Sequence, residues 1–213
     1  MTLSEKALLC VEALEKCYPE AECSLEALTA FQLLAATRLS AQCTDARVNT
    51  VTPLLFEKYP TAEAMMKAEL EDIEAIIRPC GFYHTKARDL IAMSRMLCEK
   101  FDGQVPSTIE ELTSLPGVGR KTANLICGDV FGQSAVVADT HLIRLSNLLG
   151  LVKSKDPLKV ELSLRELLPE QRSNDFCHRA VMHGRAVCIA RRPRCAECCL
   201  SELCDFAKGE GRA

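Results

Sequence analysis

Apolar residues recur at helical spacing along almost the whole chain, and this periodicity limits the possible fold more than any other feature. Leu28, Phe31 and Leu34, for example, are three residues apart and fall on one stripe of a helix. No segment alternates apolar and polar residues over the length of a strand, and only residues 135–138 are strand-like. The sequence therefore predicts an all-α protein, with helices near 4–16, 25–39, 45–58, 61–67, 70–78, 84–101, 107–115, 120–131, 140–150, 157–168 and 174–187.

Two helix starts can be assigned to particular residues. Ser107 stands three residues before Glu110, which is the spacing of a capping box. Asp156 followed by Pro157 has the composition of an N-cap and a first helical residue. We expect helices to begin at both places.

Four of the 13 cysteines form a metal-binding pattern. The N-terminus lacks the apolar core of a secretory signal, so a disulfide framework is not expected and a metal site becomes the leading explanation. Cys188, Cys195, Cys198 and Cys204 are spaced C-x6-C-x2-C-x5-C. A zinc site usually has two closely spaced pairs, whereas a four-iron cubane tolerates longer, unequal loops. The spacing therefore favours a [4Fe–4S] cluster over zinc.

The remaining cysteines have simpler interpretations. Cys10, Cys17, Cys98 and Cys127 lie in apolar helical contexts and are predicted to be small core residues. Cys199 is left outside the ligand set because a residue adjacent to a ligand points elsewhere. No role is assigned to Cys23, Cys43, Cys80 and Cys177.

The charge is unevenly distributed along the chain. The formal net charge is −3, which taken alone disfavours a nucleic-acid partner. Residues 1–30 and 57–77 each hold six acids and two bases, so the rest of the chain is net positive. Residues 178–194 contain five arginines and no acid, a composition that favours an anionic partner over a simply solvated surface. These arginines are Arg179, Arg185, Arg191, Arg192 and Arg194.

The segment Leu115-Pro116-Gly117-Val118-Gly119-Arg120-Lys121 separates two helical patterns. Gly117 and Gly119 permit a tight turn and leave no Cβ to block a ligand. A helix that begins near Gly119 directs free N–H groups outward, as a phosphate site requires. With Arg120 and Lys121, this segment predicts a helix–hairpin–helix that grips the phosphate backbone without reading bases.

Lys121 and Asp139 are candidate catalytic residues. A lysine in the first turn of a helix faces the positive end of the helix dipole, which disfavours its charged form and favours a nucleophilic amine. Asp139 follows the short apolar run and precedes a helix, so it is also a good N-cap. A fixed carboxylate can accept the amine proton and stabilise a positively charged sugar during glycosidic cleavage.

From about residue 25 to the C-terminus, the chain resembles the endonuclease III family of DNA-repair glycosylases. The matching stretches are LPGVGRKTAN (115–124), ADTH (138–141), HGRAVCIARRPRC (183–195), the cysteines through Cys204, LSAQCTDARVN (39–49) and GFYHTKA (81–87).

The resemblance implies a fold, a reaction and a partner. It implies two helical lobes: a barrel with the hairpin at 25–133, and a lobe made of 1–24 and 134–213 that holds a [4Fe–4S] cluster. Lys121 would attack C1′ of deoxyribose and form a Schiff base, with Asp139 as the catalytic aspartate, and β-elimination would nick the strand 3′ to the lesion. The substrate would be double-stranded DNA with oxidised pyrimidines or abasic sites. A monomeric cytoplasmic enzyme associated with the nucleoid, without a membrane partner, is expected.

Further DNA contacts follow from the same resemblance. Gln42 would fill the gap left by the flipped base, and Phe82 would lie in the loop that probes the opposite strand. The alternative for Phe82 is a buried loop anchor. Arg185 and Arg191 would join Gly117, Gly119 and Arg120 in contacting DNA. Cys43 and His84 depart from the family pattern, which affects the lesion and opposite-base preferences.

Three other classes of protein are compatible with parts of this sequence. An adenine mismatch glycosylase shares the fold, but Lys121 and the end of the chain at Ala213 disfavour it. A thymine or uracil mismatch glycosylase would usually lack the lysine. A non-enzymatic iron–sulfur protein that binds DNA or transfers electrons would not need the pair of Lys121 and Asp139.

Overall fold

The computed structural model describes residues 1–209, and all regular secondary structure within them is helical. The prediction of an all-α fold is therefore confirmed. None of the helices in residues 1–209 combines the length and apolar character needed to span a bilayer.

The chain forms two compact units. One is the continuous segment Cys23–Phe131. Its helices pack around a single apolar core that includes Leu34, Leu55, Leu90 and Ile126. These helices are α2 (Ala30–Ser40), α3 (Asp45–Lys58), α4 (Ala62–Met65), α5 (Leu70–Ile77), α6 (Tyr83–Phe101), α7 (Ile109–Ser114) and α8 (Arg120–Asp129).

The other unit combines Met1–Glu22 with the chain from Gly132 onward. The first helix packs against helices from the C-terminal part, so both chain segments share one core. The buried side chain of Lys6 also forms an ion pair with the half-buried Asp205, which joins the two segments. The helices are α1 (Leu3–Cys17), α9 (Thr140–Leu148), α10 (Pro157–Leu167), α11 (Ser173–Ala186) and α12 (Asp205–Lys208).

Side-chain caps determine where several helices begin. Asp156 caps α10 and Pro157 follows as its first residue, as expected. The cap of α7 is Thr108, which accepts a hydrogen bond from the Glu111 N–H, so the expected pair of Ser107 and Glu110 was one residue too early. Threonines occupy the same position at four other helices. These are Thr2, Thr29, Thr44 and Thr61.

The start of α2 was also predicted too early. The helix begins at Ala30 after the Thr29 cap, and Leu28 is 94% exposed although it continues the apolar stripe. The Glu26 N–H bonds to the side chain of Asn49 in α3 at 3.1 Å. Residues before Thr29 therefore make tertiary hydrogen bonds in place of helical ones.

The strand-like run before Asp139 forms no strand within residues 1–209, and its residues 135–137 are buried. The Ala135 N–H donates to Ser173 Oγ at 3.2 Å, and the Val137 N–H donates to Cys177 Sγ at 3.3 Å. Both acceptors belong to α11. Side chains of α11 thus satisfy the backbone of the segment that leads to Asp139.

Candidate functional site

The hairpin between α7 and α8 has the tight turn that its glycines predicted. The Val118 N–H donates to the Leu115 carbonyl at 3.1 Å, and both of these side chains are buried. Gly117 has φ +74°, a conformation that L side chains rarely adopt. A Cβ at this position would also approach Arg38 Nε to 2.5 Å. Gly117 is therefore required by the backbone and by packing against Arg38.

Arg38 is itself held by an ion pair beneath the hairpin. Its Nε donates to Asp89 Oδ2 at 2.9 Å, which links α2 to α6. A Cβ on Gly117 would lie 2.8 Å from the same carboxylate oxygen. The hairpin thus rests on a charged pair whose geometry leaves no room for a side chain.

Gly119 is open on the side away from this packing. It is the N-cap of α8 without a side-chain capping bond, and a Cβ built on it would meet nothing within 4 Å. Arg120 and Lys121 follow at the first turn, and both are exposed. The first turn of α8 therefore combines outward N–H groups, two basic side chains and an open approach, which suits an anion such as phosphate.

Asp139 is the N-cap of α9, in agreement with its sequence context. Its Oδ1 accepts a hydrogen bond from the Leu142 N–H at 2.8 Å, and the side chain is half-buried. This bond fixes the direction of the carboxylate while leaving its second oxygen for other contacts. Lys121 belongs to the unit Cys23–Phe131 and Asp139 to the other unit.

His141 lies in the first turn of α9, close to Asp139. Burial lowers the pKa of His141, and the guanidinium groups of Arg144 and Arg185 lower it further, against the opposite effect of Asp139. The imidazole is therefore favoured in its neutral form. Gly184 of α11 lies against this ring, since a Cβ there would approach His141 Nδ1 to 2.6 Å.

The four predicted ligand cysteines line one small cavity. Cys188 and Cys204 are buried, and Cys195 and Cys198 are half-buried. Within residues 1–209, no three His, Cys, Asp or Glu side chains are placed to hold a single metal ion. The thiols thus surround a common space without converging on one point. Leucine side chains from α9 complete the wall.

Two side chains and a backbone amide support this cavity. The Leu200 N–H donates to Cys198 Sγ at 3.4 Å, and His183 Nε2 lies 3.2 Å from the same sulfur. Arg144 donates to the carbonyl oxygens of Cys188 at 2.7 Å and Gly184 at 3.0 Å. Arg144 therefore connects α9, which begins at Asp139, to the segment that carries the cysteines. Sequence reasoning missed it; its position one helical turn after His141 was the available signal.

The arginine run divides into two groups. Arg185, Arg191 and Arg192 are exposed. Arg179 is only 7% exposed, donates to the Tyr18 carbonyl at 3.1 Å and pairs with Glu15 at 3.3 Å. Counting Arg179 toward a basic surface was therefore wrong, because its charge is used inside the fold.

Gln42 and Phe82 lie at the tips of two loops. Gln42 has φ +54° and Phe82 has φ +58°, and both are exposed. Phe82 is 69% exposed, so the alternative of a buried loop anchor is excluded. Such backbone conformations cost free energy in residues other than glycine and often occur at functional sites.

Cys17 was expected in the core but is exposed, whereas Cys10 and Cys127 are buried as predicted and Cys98 is half-buried. Cys17 is the last residue of α1, beyond the stripe that packs inward. The three residues between Leu14, the last buried residue of the stripe, and the end of the helix are thus enough to take Cys17 out of the core.

Comparison with known proteins identifies the class to which this fold and site belong. Residues 35–170 match the family model of the HhH-GPD superfamily base excision DNA repair proteins. The chain is 49% identical to endonuclease III of Synechocystis sp. and 42% identical to endonuclease III of Bacillus subtilis, in each case over 92% of this chain and 90% of the relative. The chain therefore belongs to the endonuclease III family.

Solved structures give the same result. A trapped covalent intermediate of endonuclease III with DNA, in a complex with an estranged adenine, matches with a TM-score of 0.91 and 41% identity over 100% of both chains. A thermostable thymine-DNA glycosylase matches with a TM-score of 0.86 at 22% identity, covering 96% of this chain and 98% of that one. The second likeness concerns the fold alone.

Proposed function

We propose that Lys121 is the nucleophile, and Asp139 its carboxylate partner, in the DNA glycosylase and AP lyase reaction of base excision repair. The observation that carries the proposal is the position of Lys121, which is exposed in the first turn of α8 directly after the open Gly119. The trapped covalent complex of the related endonuclease III with DNA supports covalent catalysis.

In this mechanism, the neutral amine of Lys121 attacks C1′ of the deoxyribose. The C1′–N bond breaks, the departing base takes up a proton, and the opened sugar forms a Schiff base with Nζ. Loss of a C2′ proton then breaks the C3′–O bond and nicks the strand 3′ to the lesion. The lysine is finally released by hydrolysis, so the enzyme is regenerated.

Asp139 contributes a negative charge whose direction is fixed by the Leu142 N–H. The carboxylate accepts a proton from the attacking amine and stabilises the positive charge that develops on the sugar. The neighbouring His141 is favoured as a neutral imidazole, so it does not compensate this charge.

DNA is held mainly by its phosphates. The N–H groups at the first turn of α8, with Gly117, Gly119 and Arg120, bind the backbone without reading sequence. Arg185 and Arg191 add positive charge beside the cysteine segment. Gln42 fills the space of the flipped base and Phe82 contacts the opposite strand, which is supported by their exposure and positive φ.

The residues around Cys188, Cys195, Cys198 and Cys204 fit a [4Fe–4S] cluster. Thiols that share a cavity without meeting at one point suit a cubane, which is wider than a single ion. The Leu200 N–H would donate to a ligating thiolate of Cys198. When bound, the cluster supplies metal–thiolate bonds that hold residues 188–204 together.

The substrate is duplex DNA that contains oxidised pyrimidines or abasic sites, and we expect the enzyme to act at the nucleoid. A damaged pair is weakened, so its base is flipped at lower cost than a normal base. Contacts to phosphates do not distinguish one lesion from another. Selectivity therefore comes from the lower free-energy cost of flipping a damaged base and from the contacts of Gln42 and Phe82.

Borohydride trapping tests the assignment of the nucleophile. The protein is incubated with a duplex that contains one thymine glycol and is then reduced, which converts a Schiff base into a stable adduct. We expect an adduct with the wild type and with the exposed-lysine control Lys100→Gln, and none with Lys121→Gln. An adduct that persists in Lys121→Gln, or its absence from the wild type, refutes the proposal.

A further inference from the structure

Two loops of the unit Cys23–Phe131 lie side by side, and each carries an exposed residue with positive φ. Gln42 is in the loop between α2 and α3, and Phe82 ends the loop between α5 and α6. The loops approach each other closely, because a Cβ added to Gly81 would lie 3.9 Å from the Gln42 carbonyl oxygen. A change in the spacing of these loops must therefore affect Gln42.

A pair of cysteines connects the same two loops. Both residues are free cysteines, each is next to one of the two backbone groups that approach each other, and the Cys43 thiol is near enough to raise the pKa of Cys80. Cys43 follows Gln42 directly, and Cys80 is two residues before Phe82. Cys80 is fully buried, whereas Cys43 is half-buried. A reagent in solution would therefore reach Cys43 first.

Burial and nearby cations have opposite effects on the pKa of Cys80. Burial raises the pKa of Cys80 to about 11, the neighbouring Cys43 adds to this, and the cations Lys86 and Arg47 have the opposite effect. Lys86 is itself buried and donates to the Leu39 carbonyl at 2.8 Å. The dithiol is thus stable in reducing conditions, and cations are present to stabilise a thiolate when one forms.

We propose that Cys43 and Cys80 are a reversible redox pair whose disulfide restrains the Gln42 and Phe82 loops and reduces base excision. The inference that activity changes rests on the DNA-contacting roles proposed for Gln42 and Phe82. Formation of the disulfide itself depends only on the geometry of the two cysteines.

The oxidant is a low-molecular-weight disulfide. The Cys43 thiolate attacks one of its sulfur atoms, forms a mixed disulfide and releases one small thiol. The Cys80 sulfur then attacks Cys43 Sγ, which releases the second small thiol, and the proton of Cys80 passes to this leaving thiolate. Two protein thiols are thereby oxidised by two electrons, and the oxidant is reduced to two thiols.

The bond shortens the contact between the loops. A disulfide has an S–S length of about 2.05 Å, well below the contact distance of two non-bonded sulfur atoms. Gln42 cannot absorb the movement easily, because its backbone already occupies the left-handed region. Displacement of about 1 Å at a residue that positions substrate can reduce turnover by up to two orders of magnitude.

The test uses the full chain with its cluster bound, incubated in glutathione buffers from reducing to oxidising. Free thiols are blocked under acidic quench before trypsin digestion. We expect a disulfide between the peptides LSAQCTDAR (39–47) and AELEDIEAIIRPCGFYHTK (68–86). Excision of thymine glycol should fall about tenfold with this link and recover on addition of dithiothreitol.

Cys43→Ser and Cys80→Ala are the matched variants, and both should keep reduced-state activity without responding to the oxidising buffer. If these variants lose activity in the oxidising buffer as the wild type does, the pair of Cys43 and Cys80 is not the cause and the proposal is overturned. Absence of the linked peptides, or a linked protein with unchanged excision, overturns the proposal. An inactive reduced wild type would refute the proposed function, and the peptide link would still report on the redox pair.

Discussion

The buried ammonium group of Lys86 donates a hydrogen bond to the carbonyl oxygen of Leu39 at 2.8 Å. Leu39 lies in the last turn of α2, three residues before Gln42. A cation at the C-terminal end of a helix is favoured by the helix dipole and satisfies a carbonyl that lacks a helical partner. Lys86 in α6 thus holds the start of the loop that presents Gln42.

Replacement of Lys86 by methionine keeps the length of the side chain and removes the donor. We expect the free energy of unfolding to fall by about 2 kcal/mol, the magnitude for a hydrogen bond to a charged group. Excision should fall as well, because the loop of Gln42 loses its support. Urea unfolding and single-turnover excision measure the two effects. Lys100→Met, on the exposed face of α6, is the control, and an equal effect of both variants would contradict the role of Lys86.

The two hairpin glycines should respond differently to alanine. Gly117→Ala forces a side chain into φ +74° and against Arg38 and Asp89, so we expect a loss of about 3 kcal/mol in urea unfolding. Gly119→Ala meets no atom within 4 Å and should cost less than about 1 kcal/mol, but its methyl group narrows the approach of a phosphate. Fluorescence anisotropy with an abasic-site duplex should show weaker binding by Gly119→Ala. Equal unfolding curves for the two variants would exclude this division of roles.

Substitution of Asp139 by asparagine and by alanine distinguishes its catalytic role from its role as a helix N-cap. Asparagine is as good an N-cap as aspartate, so Asp139→Asn should keep its stability and lose excision by about two to four orders of magnitude. Asp139→Ala should lose the same activity and also about 1 kcal/mol of stability. Binding to an abasic-site analogue should change little in Asp139→Asn. Near-normal excision by Asp139→Asn would argue against a catalytic carboxylate.

The arginines should divide according to their burial. Arg185→Ala and Arg191→Ala should weaken DNA binding for all sequences and reduce the slope of log K against log salt by about one each. Arg179→Ala should leave the salt slope unchanged and lower stability by about 1 kcal/mol, because it removes the bond to the Tyr18 carbonyl and one of the two arginine partners of the half-buried Glu15. Titrations at several salt concentrations, together with urea unfolding, distinguish the groups. A changed salt slope in Arg179→Ala would place this residue on the DNA surface.

Removal of the cluster should unfold the C-terminal segment. Without metal–thiolate bonds, residues 188–204 are held by two short 3-10 turns and few buried side chains. We expect Cys198→Ala to lose the visible absorption of the cluster and to become sensitive to trypsin at Arg191 and Arg194. A cluster-free protein that resists trypsin as well as the wild type and keeps its helical spectrum would contradict a structural role.

Local patterns predicted most of the helices, because an apolar stripe and a capping residue act over only a few positions. The start of α2 shows where such reasoning fails. Leu25 and Leu28 continue the stripe, but the backbone before Thr29 bonds to Asn49, a residue of another helix. Competition between a local and a tertiary hydrogen bond cannot be decided from spacing.

Partners distant in sequence explain the remaining errors and omissions. Arg179 and Arg185 lie in the same helix, and contacts with Glu15 and the Tyr18 carbonyl, both distant in sequence, remove Arg179 from the surface. Cys43 and Cys80 were assigned no role because nothing in the sequence links positions 37 residues apart. Their contact depends on how α3, α5 and α6 pack.

The contacts of residues 135–138, before Asp139, limit where this chain tolerates an inserted residue. Ser173 and Cys177, one turn apart near the start of α11, bind this run, while His183 and Gly184 near its end contact the cysteine segment and His141. One residue inserted between Cys177 and His183 would rotate the two ends of α11 by about 100° relative to each other. The contacts at the two ends of α11 therefore fix the number of residues between them, but not the identity of those residues.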